Sequence, residues 1–231
     1  MNAQLLCFQD HAPGLRQFRF AIPELDRFTF KPGQFISLTH PIGEKKITRA
    51  YSIASLPADD NCFEVCLNRV DDGVFTPHLF DMEPGDWIEC RGPLGVFVWR
   101  EPVPDAILVA TGTGVVPYRS MLYDALRVRG AQQQLTLIYG TRFEQNLLYI
   151  KEFLKLEEEF PNFRFLPTVT RPGENWTGAT GRVLPHVLEA VGDRRDVHIY
   201  ACGLKEMVDD VRDTFKELGF DRRHIVFEKY D

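Results

Sequence analysis

The hydrophobic pattern of this chain changes once, near residue 102, and that change constrains the fold more than any single motif. Before it, LRQFRFAI, GQFISLTH, ITRAYSIAS, CFEVCLNRV and DWIECRGP are short runs of alternating or β-favouring residues. Turn residues punctuate them in KPGQ, HPIGE, LPADD and EPGD. Strands at this spacing, without a long helical period, predict a closed antiparallel barrel. One short helix is predicted at FTPHLFDM, capped by Thr76 with Pro77 in its first position. After the change, DAILVAT and LTLIYG are continuous apolar runs of the kind buried on both faces of a sheet. FRFLPTVT, VHIYACG and HIVFEKY continue the strands. VVPYRSMLYDALRVRG, LLYIKEFLKLEEEF, RVLPHVLEAV and KEMVDDVRDTFKELG carry helical periodicity between them. Strand–helix alternation predicts a parallel sheet with helices on both sides. The predicted boundary falls in WREPVPDA, which gives domains 1–101 and 102–231.

The 231 residues suffice for two domains of about 100–130 residues each. With 44% hydrophobic and 26% charged residues the chain reads as globular. A formal charge of −6 lacks the basic excess of a nucleic-acid binder. No apolar run approaches the ~20 residues of a membrane span, and MNAQLLCFQDHAPG lacks the pattern of an export signal. A cytoplasmic protein with no membrane association is expected. The cysteines, Cys7, Cys62, Cys66, Cys90 and Cys202, are odd in number, which favours reduced thiols. Cys62 and Cys66 share one face of an alternating strand and read as core positions. No four-cysteine iron–sulfur set is visible.

In AILVATGTGVVPYRSML, Gly112 and Gly114 separate a buried strand from a helix. Glycine permits a tight turn and close approach of a phosphate, and a helix start offers unpaired N–H groups. Thr113 and Gly114 are therefore candidate contacts to a dinucleotide pyrophosphate. Pro117 stands where G-x-G-x-x-G has its third glycine, so a purely structural turn stays open from these residues alone.

Four blocks follow in order: Arg49-Ala50-Tyr51-Ser52, Gly92-Pro-Leu-Gly95, Gly112-Thr-Gly114-Val-Val-Pro117, and Ala201-Cys202-Gly203 with Met207. The chain then nearly ends in Glu228-Lys-Tyr230. With these blocks the sequence resembles the ferredoxin–NADP reductase family, bacterial type, over almost its whole length. The resemblance implies a six-stranded FAD-binding β-barrel followed by an NADP(H)-binding α/β domain. It implies that Arg49 binds the FAD pyrophosphate, for which a guanidinium fork is suited. Tyr51 would stack on the flavin and Ser52 bond to its N5. Strict alternation places Arg49 and Tyr51 on one face and Ser52 on the other. Gly73, Val74, Phe75 and Thr76 match the segment that holds the pyrophosphate at a helix start. Cys66, Leu67 and Asn68 match a strand along the ribityl and adenosine side. Cys202 would lie beside the nicotinamide, where a small misplacement is costly in rate. Glu228 would hydrogen-bond near Ser52 and Cys202, and Tyr230 would stack over the flavin. Here the chain runs one residue further, to Asp231. Ser52, Cys202, Glu228 and Tyr230 are thus the catalytic candidates, for hydride transfer between nicotinamide C4 and flavin N5.

Arg142, Arg171 with Thr170 beside it, and Arg182 stand where bacterial relatives place partners for the NADP 2′-phosphate. They favour NADPH. The stretch Trp176-Thr-Gly-Ala-Thr-Gly181 resembles one common in NADH-using relatives and keeps NAD(H) open. The implied redox partner is a ferredoxin or flavodoxin, met by a monomer. Lys45, Lys46, Arg222 and Arg223 are candidates for a basic partner face. Two alternatives stand beside this reading: an NADH-dependent reductase component of an oxygenase, and a non-catalytic regulatory subunit.

Overall fold

Residues 1–230 are described by the computed structural model; Asp231 lies outside the described residues. They form two units: Met1–Val98 with Val116–Tyr123, and Trp99–Val115 with the chain from Asp124 onward.

In the first unit, β1 (Asn2–Ala12) and β2 (Leu15–Ala21) are joined by Pro13 and Gly14, with Gly14 at φ +71°. That left-handed conformation is open to glycine without a Cβ penalty. The strands β3 (Phe35–Ile42), β4 (Lys45–Ser52), β5 (Cys62–Asn68) and β6 (Trp87–Leu94) complete a six-stranded antiparallel sheet, ordered β4-β3-β6-β1-β2-β5. Its two outer strands meet through the chain just beyond β4, where Ile53 bridges Val65 of β5. The Ala54 amide donates to the Glu64 carbonyl at 2.7 Å on the same seam. Pairing around the ring removes a free edge, as in a barrel. Alternate inward residues fill it, among them Phe18, Phe20, Ile36, Leu38 and Phe63, all fully buried. Phe20 and Phe63 lie with ring centroids 5.4 Å apart. Each such side chain contributes roughly 1.5–3 kcal/mol by leaving water.

The sequence shows five of these strands as periodic runs and misses β1. This strand has register shifts between Leu5 and Cys7 and between Asp10 and Ala12, so its inward positions do not keep a period of two. The predicted short helix is α1 (Phe75–Asp81), but Thr76 does not cap it. Val74 occupies the cap position, and the Thr76 hydroxyl instead reaches back to Val70, accepting from its amide at 2.8 Å. Helix α2 (Val116–Tyr123) also belongs to this unit, with Tyr118 edge-on to Phe97 at 5.8 Å.

The second unit contains β7 (Ala106–Thr111), β8 (Leu135–Thr141), β9 (Phe163–Val169), β10 (Ala179–Thr180), β11 (His198–Leu204) and β12 (Ile225–Tyr230). All pair in parallel, ordered β10-β9-β8-β7-β11-β12. Helices α4 (Val183–Val191) and α5 (Lys205–Glu217) bury Val187, Val208 and Val211 against Ile107, Val109 and Ile199 on one face. Leu137 and Phe165 alternate to the other face, where Phe153 of α3 (Ile150–Glu159) meets Phe165 at 5.2 Å. Helices therefore cover both faces, and every strand ends its carboxyl terminus on one rim. No helix among the described residues is long and apolar enough to cross a membrane.

Candidate functional site

On β4, Ile47 and Tyr51 pack on the barrel core. Arg49, two residues from each, shares that face by alternation but is exposed. Its guanidinium donates to the neighbouring Thr48 carbonyl at 2.9 Å and pairs with no carboxylate among the described residues. A cation on an inward-facing position, without an anion of its own, suits an anionic ligand. Ala50 is exposed on the opposite face, and Ser52 is buried opposite Phe35 of β3. Burial raises the Tyr51 hydroxyl above its usual range, with the Arg49 charge acting in the opposite sense.

The Tyr51 ring stacks with Phe75 at 6.3 Å, which joins two segments far apart in sequence. Phe75 opens α1. Before it, Gly73 closes a turn by donating to the Val70 carbonyl at 2.9 Å. Val74 is exposed, and the first turn of α1 carries no acidic side chain. Amides at such a helix start lie outside its own hydrogen-bond ladder. On β5, Cys66 and Leu67 are buried and Asn68 is exposed, paired with Gln17, Arg16 and Leu15 of β2. Their contribution to a ligand would come through backbone, as their burial leaves only Asn68 outward.

In the second unit the glycine turn interlocks with the end of β11. A Cβ on Gly114 would lie 2.2 Å from the Cys202 carbonyl oxygen and 2.5 Å from the Gly203 Cα. A Cβ on Gly203, which sits at φ +131°, would lie 2.5 Å from Thr111 Oγ1. The Thr111 hydroxyl accepts from the Leu204 amide at 3.1 Å. Gly114 thus makes room for the chain's own backbone. Gly112 is different: at φ +54° a Cβ there meets nothing within 4 Å, so open space lies on that glycine's side. Thr113 sits half-buried between them.

Cys202 is fully buried and stands opposite Glu228 in the β11–β12 register. Burial first, and then the Glu228 charge, push its thiol well above the ordinary value; a hydrogen bond with the Tyr230 side chain opposes them. The thiol is therefore protonated at neutral pH. A buried, protonated thiol is small and polarisable and a poor nucleophile. Cys202, Glu228 and Tyr230 form one cluster at the carboxyl ends of adjacent strands.

A second cluster lies along the same rim. Arg142 follows β8, Arg171 follows β9, and Arg182 follows β10 and precedes α4. The Thr170 amide donates to Thr141 (3.1 Å) and the Arg171 amide to Arg142 (2.9 Å), which extends the strand pairing into the loops. All three arginines and Thr170 are exposed, and none of the arginines pairs with a carboxylate among the described residues. Glu144 is the nearby acid, used to accept from the Gly173 amide at 2.9 Å. The Trp176 ring lies against Gly178, whose Cβ would meet it at 2.4 Å, and its indole N–H donates to Ala179.

Residues 5–99 match the family described as oxidoreductase FAD-binding domain, and residues 108–213 match oxidoreductase NAD-binding domain. The chain is 37% identical over 240 aligned residues to ferredoxin–NADP reductase B of Sorangium cellulosum, spanning 100% of this chain and 97% of that protein. The chain belongs to the ferredoxin–NADP reductase family. Among solved structures it is similar to the cytochrome P450 reductase of Amycolatopsis, with TM-score 0.88 and 28% identity over 99% of this chain and 69% of that one. It is also similar to a ferredoxin NADP+ reductase of Neisseria gonorrhoeae with bound FAD and NADP, with TM-score 0.79 and 27% identity over 99% and 98%. The protein is thus an FAD- and nicotinamide-nucleotide-binding oxidoreductase. The two-domain architecture implied by the sequence resemblance is the one observed. Thr111 carries no spacing signal in the sequence, being a threonine that ends a strand.

Proposed function

We propose that this family member passes electrons between NADPH and a one-electron carrier, a ferredoxin or flavodoxin. The carrying observation is the row of three exposed arginines, Arg142, Arg171 and Arg182, at the carboxyl ends of three adjacent parallel strands. Three guanidinium groups without carboxylate partners among the described residues exceed what a bare ribose hydroxyl needs and suit a 2′-phosphate. The names of the Sorangium and Neisseria relatives accord with this choice. Arg49 to Ser52, Cys66 to Asn68 and Gly73 to Thr76 would hold FAD. The charge would come from Arg49, the amides from the start of α1, and the flat contact from Tyr51. FAD, when bound, supplies a centre that takes up a hydride and releases electrons singly.

The chain's own residues do the rest. Gly112 leaves space for a pyrophosphate, with Thr113 and Gly114 in the turn beside it. Cys202 keeps its proton on Sγ and presents a neutral surface. Glu228 places a half-buried carboxylate beside it, and Tyr230 fixes the thiol by hydrogen bonding. The free cysteines fit an enzyme working in the cytoplasm.

A second reading, an NADH-dependent reductase component of an oxygenase, draws on the Trp176–Gly181 stretch and on the likeness to a P450 reductase. One experiment separates the two: kcat/KM for NADPH and NADH, with a dye acceptor, in wild type and Arg171→Ala. The proposal expects wild type to prefer NADPH and the variant to lose about 10- to 100-fold with NADPH, the worth of one charge-assisted hydrogen bond. Its NADH activity should stay within about twofold, because that nucleotide has no 2′-phosphate to lose. A wild-type preference for NADH, or equal losses with both nucleotides, would favour the second reading.

A further inference from the structure

The barrel closes along a thin seam. One bridge, Ile53 to Val65, and one amide, Ala54 to the Glu64 carbonyl, join its ends, helped by the Ser55 hydroxyl accepting from the Glu64 amide at 3.1 Å. The candidate flavin residues flank this seam on both sides. Ser52 directly precedes Ile53, and Cys66 directly follows Val65.

Arg119, on α2, lies across it. A single guanidinium nitrogen, Nη1, donates to the Ala54 carbonyl at 2.9 Å and to Glu64 Oε2 at 3.3 Å, one acceptor on each side of the seam. Gln17 of β2 donates to the same Glu64 oxygen at 3.0 Å. The Arg119 and Glu64 side chains are only 16% and 21% exposed, so water screens this pair less than a surface one. Helix α2 is itself anchored by buried Tyr118, Ser120 and Met121 on either side of Arg119, which limits the freedom of the guanidinium.

We infer that Arg119 is a positioning residue for FAD: it clamps the barrel seam and so fixes Ser52 and Cys66 where the cofactor needs them. The inference rests on the FAD reading above, but it assigns the task to a side chain outside the flavin segments. Loss of the clamp frees the Ile53–Ser55 segment to drift from β5 and takes Ser52 with it. The residues proposed for the nicotinamide nucleotide lie outside that segment, so its binding should stay as it was.

The test compares wild type, Arg119→Ala and Arg119→Lys for the FAD dissociation constant, the visible flavin spectrum and the dissociation constant for NADP+. Arg119→Ala should raise the FAD Kd by about tenfold or more, as expected for a lost charged hydrogen bond. It should also shift the flavin absorption bands and leave NADP+ binding within about twofold, since the contacts proposed for the nucleotide, Thr113, Gly114, Arg142, Arg171 and Arg182, lie outside the seam. Arg119→Lys, which keeps a cation facing Glu64, should recover part of the FAD affinity. Wild-type FAD affinity and spectrum in Arg119→Ala, with only a lower unfolding midpoint, would reduce Arg119 to a stabilising residue and overturn the inference. If the alanine variant does not fold, the lysine variant and Glu64→Gln decide: unchanged FAD Kd in both overturns it. Failure of the wild type to bind FAD would instead contradict the functional reading itself.

Discussion

Two glycines in one turn have different work to do, and substitution should separate them. Alanine at Gly114 would drive a methyl group to 2.2 Å from the Cys202 carbonyl, where backbone cannot easily yield. Gly114→Ala should lower the stability to chemical denaturation by about 2–3 kcal/mol, the upper part of the range for an overpacked core. Alanine at Gly112 meets no atom and pays only for its φ of +54°, roughly 1–2 kcal/mol for a Cβ in that region. Equal losses for the two would contradict the assignment of Gly114 to the chain's own packing. The letters G-T-G announce a turn after a buried strand, but they do not say which glycine faces protein and which faces open space. That distinction depends on β11, some ninety positions away in sequence and adjacent only after folding.

His198 is the residue with the clearest pH signature. It opens β11 with its ring 4.3 Å from that of His224. Burial, then the neighbouring His224 and Arg100, lower its imidazole to about 4. The unfolded chain would take up a proton near the ordinary value of about 6.5. Between those two values the unfolded state binds more protons, so stability rises with pH there. The contribution is intact above the upper value and is lost as pH falls through the lower one. Denaturation midpoints for His198→Gln should vary less across this window than those of wild type. Parallel curves would show that His198 does not titrate as described.

At the scale of elements, the sequence shows most of what the fold contains. The buried runs that become β7 and β8 and the amphipathic runs that become α3, α4 and α5 carry their periods openly, because each packs a regular face. Strand β1 does not, because two register shifts break its alternation. The start of α1 is mistaken by one or two residues, because Thr76 spends its hydroxyl on Val70 rather than on a cap. Thr76→Ala should therefore loosen the Val70–Gly73 turn ahead of α1, with a cost of about 1 kcal/mol for the lost hydrogen bonds. Unchanged stability would show that solvent replaces both bonds fully. The candidate site divides in the same way. Arg49, Tyr51, Cys202 and Glu228 are legible as motif positions. The ring contact of Tyr51 with Phe75 and the clamp of Arg119 on Ala54 and Glu64 join residues that no spacing rule connects.

At the scale of the molecule, a barrel and a parallel sheet each present candidate residues grouped by topology rather than by sequence. In the barrel they gather at the end of β4, along β5 and at the start of α1. In the sheet they gather on the one rim where every parallel strand ends, the place such sheets offer to ligands. The two family matches, to FAD-binding and NAD-binding oxidoreductase domains, follow that division of the chain. The most direct measurement is the visible spectrum of the purified protein, reconstituted with FAD and freed of excess, before and after anaerobic addition of NADPH. The account predicts oxidised-flavin absorption that bleaches on addition of NADPH, with FAD recovered after denaturation. A protein that retains no flavin, or whose bound flavin NADPH leaves oxidised, would contradict it.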